Sequence, residues 1–140
     1  MFKRILLPVD GSLCMAPLVR QCLAFAAAAG ARVIAVHVAP SPDATAAPEG
    51  PPGPGGDPLA RAARILQDVA GEARALAVPC DGKVLFGAEP WRAIVQAAID
   101  AEADLICMGA HGRHGASEQV LASQSARVVA HTRIPVLLFH

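Results

Sequence analysis

Met108-Gly-Ala-His-Gly-Arg-His-Gly115 follows directly on the apolar run Ala103-Asp-Leu-Ile-Cys107, and after Gly112 nine residues lead to Ala122-Ser123 at the start of a helical pattern. An apolar strand that breaks into glycines exposes bare backbone N–H groups, and a helix beginning beyond it adds the positive end of a dipole. That combination suits phosphate. The spacing Gly109-x2-Gly112-x9-Ala122-Ser123 is far more restrictive than a lone Gly-x-Gly-x-x-Gly, and the chemistry it points to is nucleotide binding.

Plainer explanations apply to the same residues. A glycine turn after a buried strand is often only a turn, and Asp10-Gly-Ser12 can be turn chemistry in which Asp and Ser bond their own backbone. His111 and His114 suggest a metal, but no carboxylate or cysteine cluster completes a site, so they read as loop histidines. His37, inside an apolar strand, reads as a hydrogen-bonded interior residue, and Trp91 as an anchor of the core or its edge. Catalysis finds little support. There is no Gly-x4-Gly-Lys-Ser/Thr loop, no His-x-Gly-His element, and no Ser or Cys nucleophile with an evident base. Slow hydrolysis of a bound triphosphate is the most the residues suggest.

Hydrophobic periodicity supplies the elements that must position these groups. Ile5-Leu-Leu-Pro-Val9 is a short apolar run ending at a turn, which predicts a strand buried on both faces. From Pro17 a helix with Leu18, Cys22, Phe25 and Ala29 on one face runs to a stop at Gly30, and Arg32–Val38 follows as a second strand. Pro40–Gly56 is so rich in Pro, Gly and Ala that it predicts a long flexible loop. Asp57-Pro58 then caps a helix with Leu59, Ala63, Leu66, Ala70 and Ala73 on one face, interrupted in propensity only by Gly71. Lys83–Phe86 is a third strand, Pro90 opens a helix facing inward with Trp91, Ile94, Val95, Ala98 and Ile99, and Leu105–Met108 is a fourth strand. Ser123–His131 is helical and Pro135–Phe139 is a fifth strand. Strands alternating with helices predict a doubly wound α/β open sandwich, Rossmann-like, with five parallel strands and four helices. Ligands of such sheets lie beyond the carboxyl ends of the strands, which here places Pro8, Val9 and Asp10, Val38, and Met108 with Gly109 as candidate contacts.

Composition narrows the partners. A chain of 140 residues is one domain, and 54% hydrophobic with only 4% aromatic residues means a core of Ala, Val, Leu and Ile. Twelve basic against 12 acidic residues argue against nucleic acid or an anionic membrane surface as the main partner. Cys14, Cys22, Cys80 and Cys107 form no Cys-x-x-Cys pair and lie mostly in apolar patterns, as small hydrophobes in a reducing compartment do. The first eight residues lack the features of a signal peptide and no run approaches a membrane span, so a cytoplasmic location is expected.

Ile5-Leu-Leu-Pro-Val-Asp-Gly-Ser12, His37-Val38, Ala103 through Arg113 and Ile134-Pro-Val-Leu-Leu138 together resemble the universal stress protein family over essentially the whole chain. The resemblance implies a strand order 3-2-1-4-5, a homodimer formed through the C-terminal strand, and ATP, with Mg²⁺ accompanying the triphosphate, as ligand in the nucleotide-binding branch. It assigns Asp10 to the ribose hydroxyls or adenine amino group, and Val9 and Val38 to the adenine ring. Met108 and Gly109 lie under the ribose and first phosphate, His111 and Gly112 form a backbone cradle, and Ser123 receives the terminal phosphates. Two departures fall at the phosphate end. Ala122 stands where the family has a third glycine, and Gln124 where it has a small apolar residue. Gln124 keeps its backbone N–H and has an amide able to bond a phosphate oxygen, but its bulk can equally crowd the pocket. The alternative is therefore a nucleotide-free dimeric interaction module of the same fold. An apolar edge such as Val136–Phe139 favours a paired state in either case.

Overall fold

The computed structural model of the chain describes residues 2–11, 15–40, 57–109 and 116–139, the last segment with side chains from Gln124 onward. Residues 41–56 of the expected loop, together with Cys14, His111, Gly112 and His114, lie outside the described residues.

Five strands, β1 (Arg4–Pro8), β2 (Arg32–Ala39), β3 (Cys80–Phe86), β4 (Leu105–Gly109) and β5 (Val136–Phe139), alternate with four helices, α1 (Met15–Ala29), α2 (Pro58–Ala75), α3 (Pro90–Asp100) and α4 (Ala116–His131). The strands form one sheet in the order β3-β2-β1-β4-β5, with every pairing parallel. This is the architecture expected from the pattern. The side chains alternate between two packed layers. Ile5, Leu7, Val33, Ala35, Leu105 and Cys107 face α1 and α2, while Leu6, Val36, Ile106 and Met108 face α3 and Val128 of α4. Both faces of β1 are consequently dry over Ile5–Leu7, which is why that stretch is continuously apolar rather than alternating.

Cys22 of α1 and Cys107 of β4 lie in the first layer, both fully buried. The hydrogen bond from the Cys22 thiol to Cys107, together with burial, pushes the Cys22 thiol far above the ordinary range. It acts there as a small neutral hydrophobe.

Asp104 fixes the start of β1 against β4. Its carboxylate accepts from the N–H of Lys3 at 2.8 Å and of Arg4 at 3.1 Å, while its own N–H donates to the Arg4 carbonyl at 2.9 Å. Three helices end in the same way. The N–H groups of Ala31, Val78 and Ala103 reach back to Ala26, Ala73 and Ala98, each at 2.9 Å, across a left-handed residue. That residue is Gly30 (φ +67°) after α1, but Ala77 (φ 56°) after α2 and Glu102 (φ 53°) after α3. The residue beyond each turn is buried, so an apolar contact holds the turn where no glycine favours it.

Several boundaries differ from the sequence expectation. α2 is capped by Asp57, whose Oδ1 accepts from the Leu59 N–H at 3.3 Å, and it runs unbroken through Gly71. Its buried face is Ala62, Leu66, Val69 and Ala73, and Leu59 is exposed. The 59–63–66–70–73 spacing and the 62–66–69–73 spacing share two members, and Val69 settles which phase turns inward. In α3 it is Ala97, not Ile99, that joins Ile94 and Ala98 against the sheet. β3 starts at Cys80 rather than Lys83, paired with Val33 of β2. α4 begins at Ala116, not Ser123. Its early residues, Glu118, Gln119 and Leu121 among them, are good helix formers, and their propensity extends the helix upstream of the motif.

Gly11 (φ +78°) makes the tightest approach among the described glycines, since a Cβ there would lie 2.6 Å from Ile65 Cδ1 and 2.8 Å from Cγ1. At Gly30 a Cβ would meet nothing within 4 Å. Gly30→Ala should thus lose about 1 kcal/mol, the cost of the left-handed backbone alone. Gly11→Ala should lose distinctly more, about 2–3 kcal/mol, because Ile65 must also move. Conversely, Ala77→Gly should gain about 0.5–1 kcal/mol. Urea unfolding midpoints of the three variants check this order.

Candidate functional site

The strand order reverses at β1, which has β2 on one side and β4 on the other. The connections leave toward opposite faces there, so a crevice opens beyond the carboxyl ends. A cavity of about 170 Å³ occupies that place. Pro8, Val9 and Asp10 bring the end of β1 to it, Val36, His37 and Val38 the end of β2, and Met108 with Gly109 the end of β4. Met15 of α1, Pro90 and Ile94 of α3, and Gln124 of α4 complete its walls.

Six of the residues expected from strand ends, Pro8, Val9, Asp10, Val38, Met108 and Gly109, thus gather around one hollow, as does Gln124. His111 and Gly112 fall outside the described residues. Ala122 and Ser123 lie within α4, about two turns in from Ala116, so the positive end of that helix is not at Ser123. Sequence reasoning missed His37, Met15, Val36, Pro90 and Ile94 as wall residues. For His37 a signal was present, since it directly precedes the strand-end Val38.

The backbone of Val9 is already engaged. Its N–H donates to the Val36 carbonyl at 2.8 Å, and its own carbonyl lies 2.8 Å from His37 Nδ1. A carbonyl can only accept, so Nδ1 carries a proton and donates it to Val9. The interior hydrogen-bonding role expected for His37 is what the structure contains. Val9 is left to offer an apolar surface. Among the described lining residues Asp10 is the one carboxylate, and there is no Lys or Arg. The hollow is therefore mostly apolar with a few polar groups at fixed points, as small-molecule sites generally are.

Gln124 has a second attachment. α3 opens with Glu89 at its cap position, but the Glu89 side chain makes no capping bond. The orphan N–H of Trp91 instead donates to Gln124 Oε1 at 2.9 Å. A side chain from α4 that lines the cavity thereby caps α3. Next to this link the Trp91 and His131 rings stack with centroids 4.3 Å apart, and Arg92 lies 5.0 Å over the indole. Trp91 packs at the edge of the second core layer, in keeping with its expected anchoring role.

A larger and shallower groove of about 660 Å³ runs between α1 and α2. Its polar lining includes Asp68 and Glu72, so it carries the wrong charge for a phosphate. No residue of β4 is among its described lining.

Comparison with known proteins agrees with this geometry. The profile of the universal stress protein family matches residues 1–140. A universal stress protein from Thermus aquaticus, named for its place in the QAH/OAS sulfhydrylase 3′ region, is 40% identical over 140 residues, covering 99% of this chain and 98% of that one. The chain belongs to the universal stress protein family. Among solved structures, a universal stress protein in complex with cAMP superposes with a TM-score of 0.74 at 24% identity, covering 99% of this chain and 97% of that one. The universal stress protein from Archaeoglobus fulgidus in complex with dAMP gives 0.72 at 22% identity, with 99% and 98% covered. At that identity the two structures establish the shared fold.

Removing the Gln124 cap has a measurable consequence. Gln124→Ala should lower unfolding stability by about 1 kcal/mol, the usual worth of a helix cap or a neutral hydrogen bond. Chemical denaturation should show a lower midpoint with an unchanged slope.

Proposed function

We propose that the protein is a cytoplasmic regulatory member of its family that binds an adenine nucleotide, ATP in the first instance, at the carboxyl ends of β1, β2 and β4. The observation that carries this reading is the small, mostly apolar hollow at the reversal of strand order, with Asp10 as its carboxylate. A flat base fits between Val9, Val38 and Met108, and Asp10 accepts from ribose hydroxyls or the adenine amino group. The glycine motif supplies backbone N–H groups from His111 and Gly112 for the phosphates, with Ala122 and Ser123 beyond it; Mg²⁺ accompanies a triphosphate. That two similar structures hold cAMP and dAMP supports an adenine nucleotide as the ligand class. Binding neutralises the exposed N–H groups and shifts the population of neighbouring conformations, which changes the surface offered to a protein partner in a stress response. No base for catalytic turnover forms part of the proposal.

We also propose a homodimer through β5. The two sheet edges differ in how they are guarded. β3 carries Asp81 and Lys83 and is largely exposed, whereas β5 is Val136-Leu-Leu-Phe139 without a charge and pairs only with β4 among the described residues. An uncharged apolar edge invites a second strand, and a two-fold partner supplies the same one. Cytoplasmic residence fits the unpaired thiols of Cys22, Cys80 and Cys107, and no helix among the described residues is long and apolar enough to cross a membrane.

Calorimetric titration with ATP and Mg²⁺ should give saturable heat, and a hundredfold excess over Kd should stabilise the fold by about 2.7 kcal/mol in thermal melts. No heat and no shift at millimolar nucleotide would remove this reading and leave the nucleotide-free interaction module. Light scattering should return twice the chain mass, and Leu138→Lys on β5 should return the chain mass.

A further inference from the structure

We propose, resting on the adenine-nucleotide reading above, that Gln124 is the side chain by which this site distinguishes a phosphorylated ligand from the bare nucleoside. The Trp91 N–H is a donor, so the atom facing it at 2.9 Å must be the carbonyl oxygen of the Gln124 carboxamide. This settles the orientation of the amide and leaves Nε2 with both of its N–H bonds. Among the described residues Nε2 has no acceptor.

The carboxamide is thereby placed in series with the first turn of α3. A helix carries partial positive charge at its amino end, concentrated on N–H groups without intrahelical partners. Trp91 holds one of these, and the Gln124 carboxamide receives it as a further peptide unit would. An amide whose oxygen accepts a hydrogen bond is polarised, and its N–H bonds become better donors. The positive end of α3 is relayed to Nε2 of a residue that lines the cavity. Among the described lining residues there is no Lys or Arg to compete for an anion, and the Nδ1 proton of His37 is committed to the Val9 carbonyl. Gln124 thus brings an amide N–H donor to the described lining. Its ligand chemistry is a phosphate ester oxygen, and a nucleoside, which has none, gains nothing from it.

The experiment compares adenosine and AMP on the full chain by calorimetry, for wild type, Gln124→Glu and Gln124→Met, with melting temperatures measured alongside. Glutamate retains an oxygen for the Trp91 N–H but has no donor and carries negative charge; methionine has neither group and adds no charge. Wild type should bind AMP more tightly than adenosine. In both variants the ratio of AMP to adenosine affinity should fall about tenfold, the scale of one hydrogen bond to a charged acceptor. It should fall further in Gln124→Glu than in Gln124→Met. Gln124→Glu should melt at or above the wild-type temperature, and Gln124→Met below it, showing that the ratio does not follow stability. An unchanged ratio in Gln124→Met with wild type still binding AMP would overturn this inference and leave the nucleotide reading standing. Wild type that binds neither ligand would overturn both.

Discussion

β1 is hydrogen-bonded along both edges and buried on both faces, and the remaining elements are arranged around that double constraint. Over Ile5–Leu7, where the strand has no wet side, every position must be apolar, and the neighbours must be parallel strands joined by helices packed above and below. At its start the Asp104 carboxylate takes two N–H groups. At its end the Val9 N–H and carbonyl are both bound to β2, through Val36 and His37. With both ends held, the point where β2 and β4 diverge has a fixed geometry, and the cavity inherits it.

The consequence is a site whose polar groups are few and already oriented. The Nδ1–H of His37 is held by a main-chain carbonyl, and Gln124 is held in one flip by a main-chain N–H. In each case a backbone group, which cannot change its role, decides what the side chain presents. Preorganisation of this kind generally lowers the entropy a site loses on taking up a ligand. It also joins the site to the packing of α3 on α4, because the residue that walls the cavity is the one that caps a helix.

The ends of the helices illustrate a different compromise. Gly30 meets the left-handed requirement after α1 at no steric cost, yet Ala77 and Glu102 meet it after α2 and α3 against their own preference. The buried Val78 and Ala103 that follow supply the compensation. A search for glycine finds the first stop and misses the other two.

Periodicity, turn residues and caps determined the element types and their order, because burial on a pleated or helical surface leaves a repeat of two or of 3.6 in the chain itself. Asp57-Pro58, Gly30 and the apolar run Ile5–Val9 are local signals of this kind, and the strand-end positions of Pro8, Asp10, Val38 and Met108 followed from them. Tertiary structure alone decided the phase of α2, the exposure of Ile99, the upstream start of α4 and the joining of Gln124 to Trp91. Each of these depends on what lies across a gap from a residue rather than beside it in the chain. The Trp91 N–H that the Gln124 side chain accepts from is 33 positions away in sequence, a distance over which no spacing rule operates. A hydrogen bond between two helices leaves no period to read.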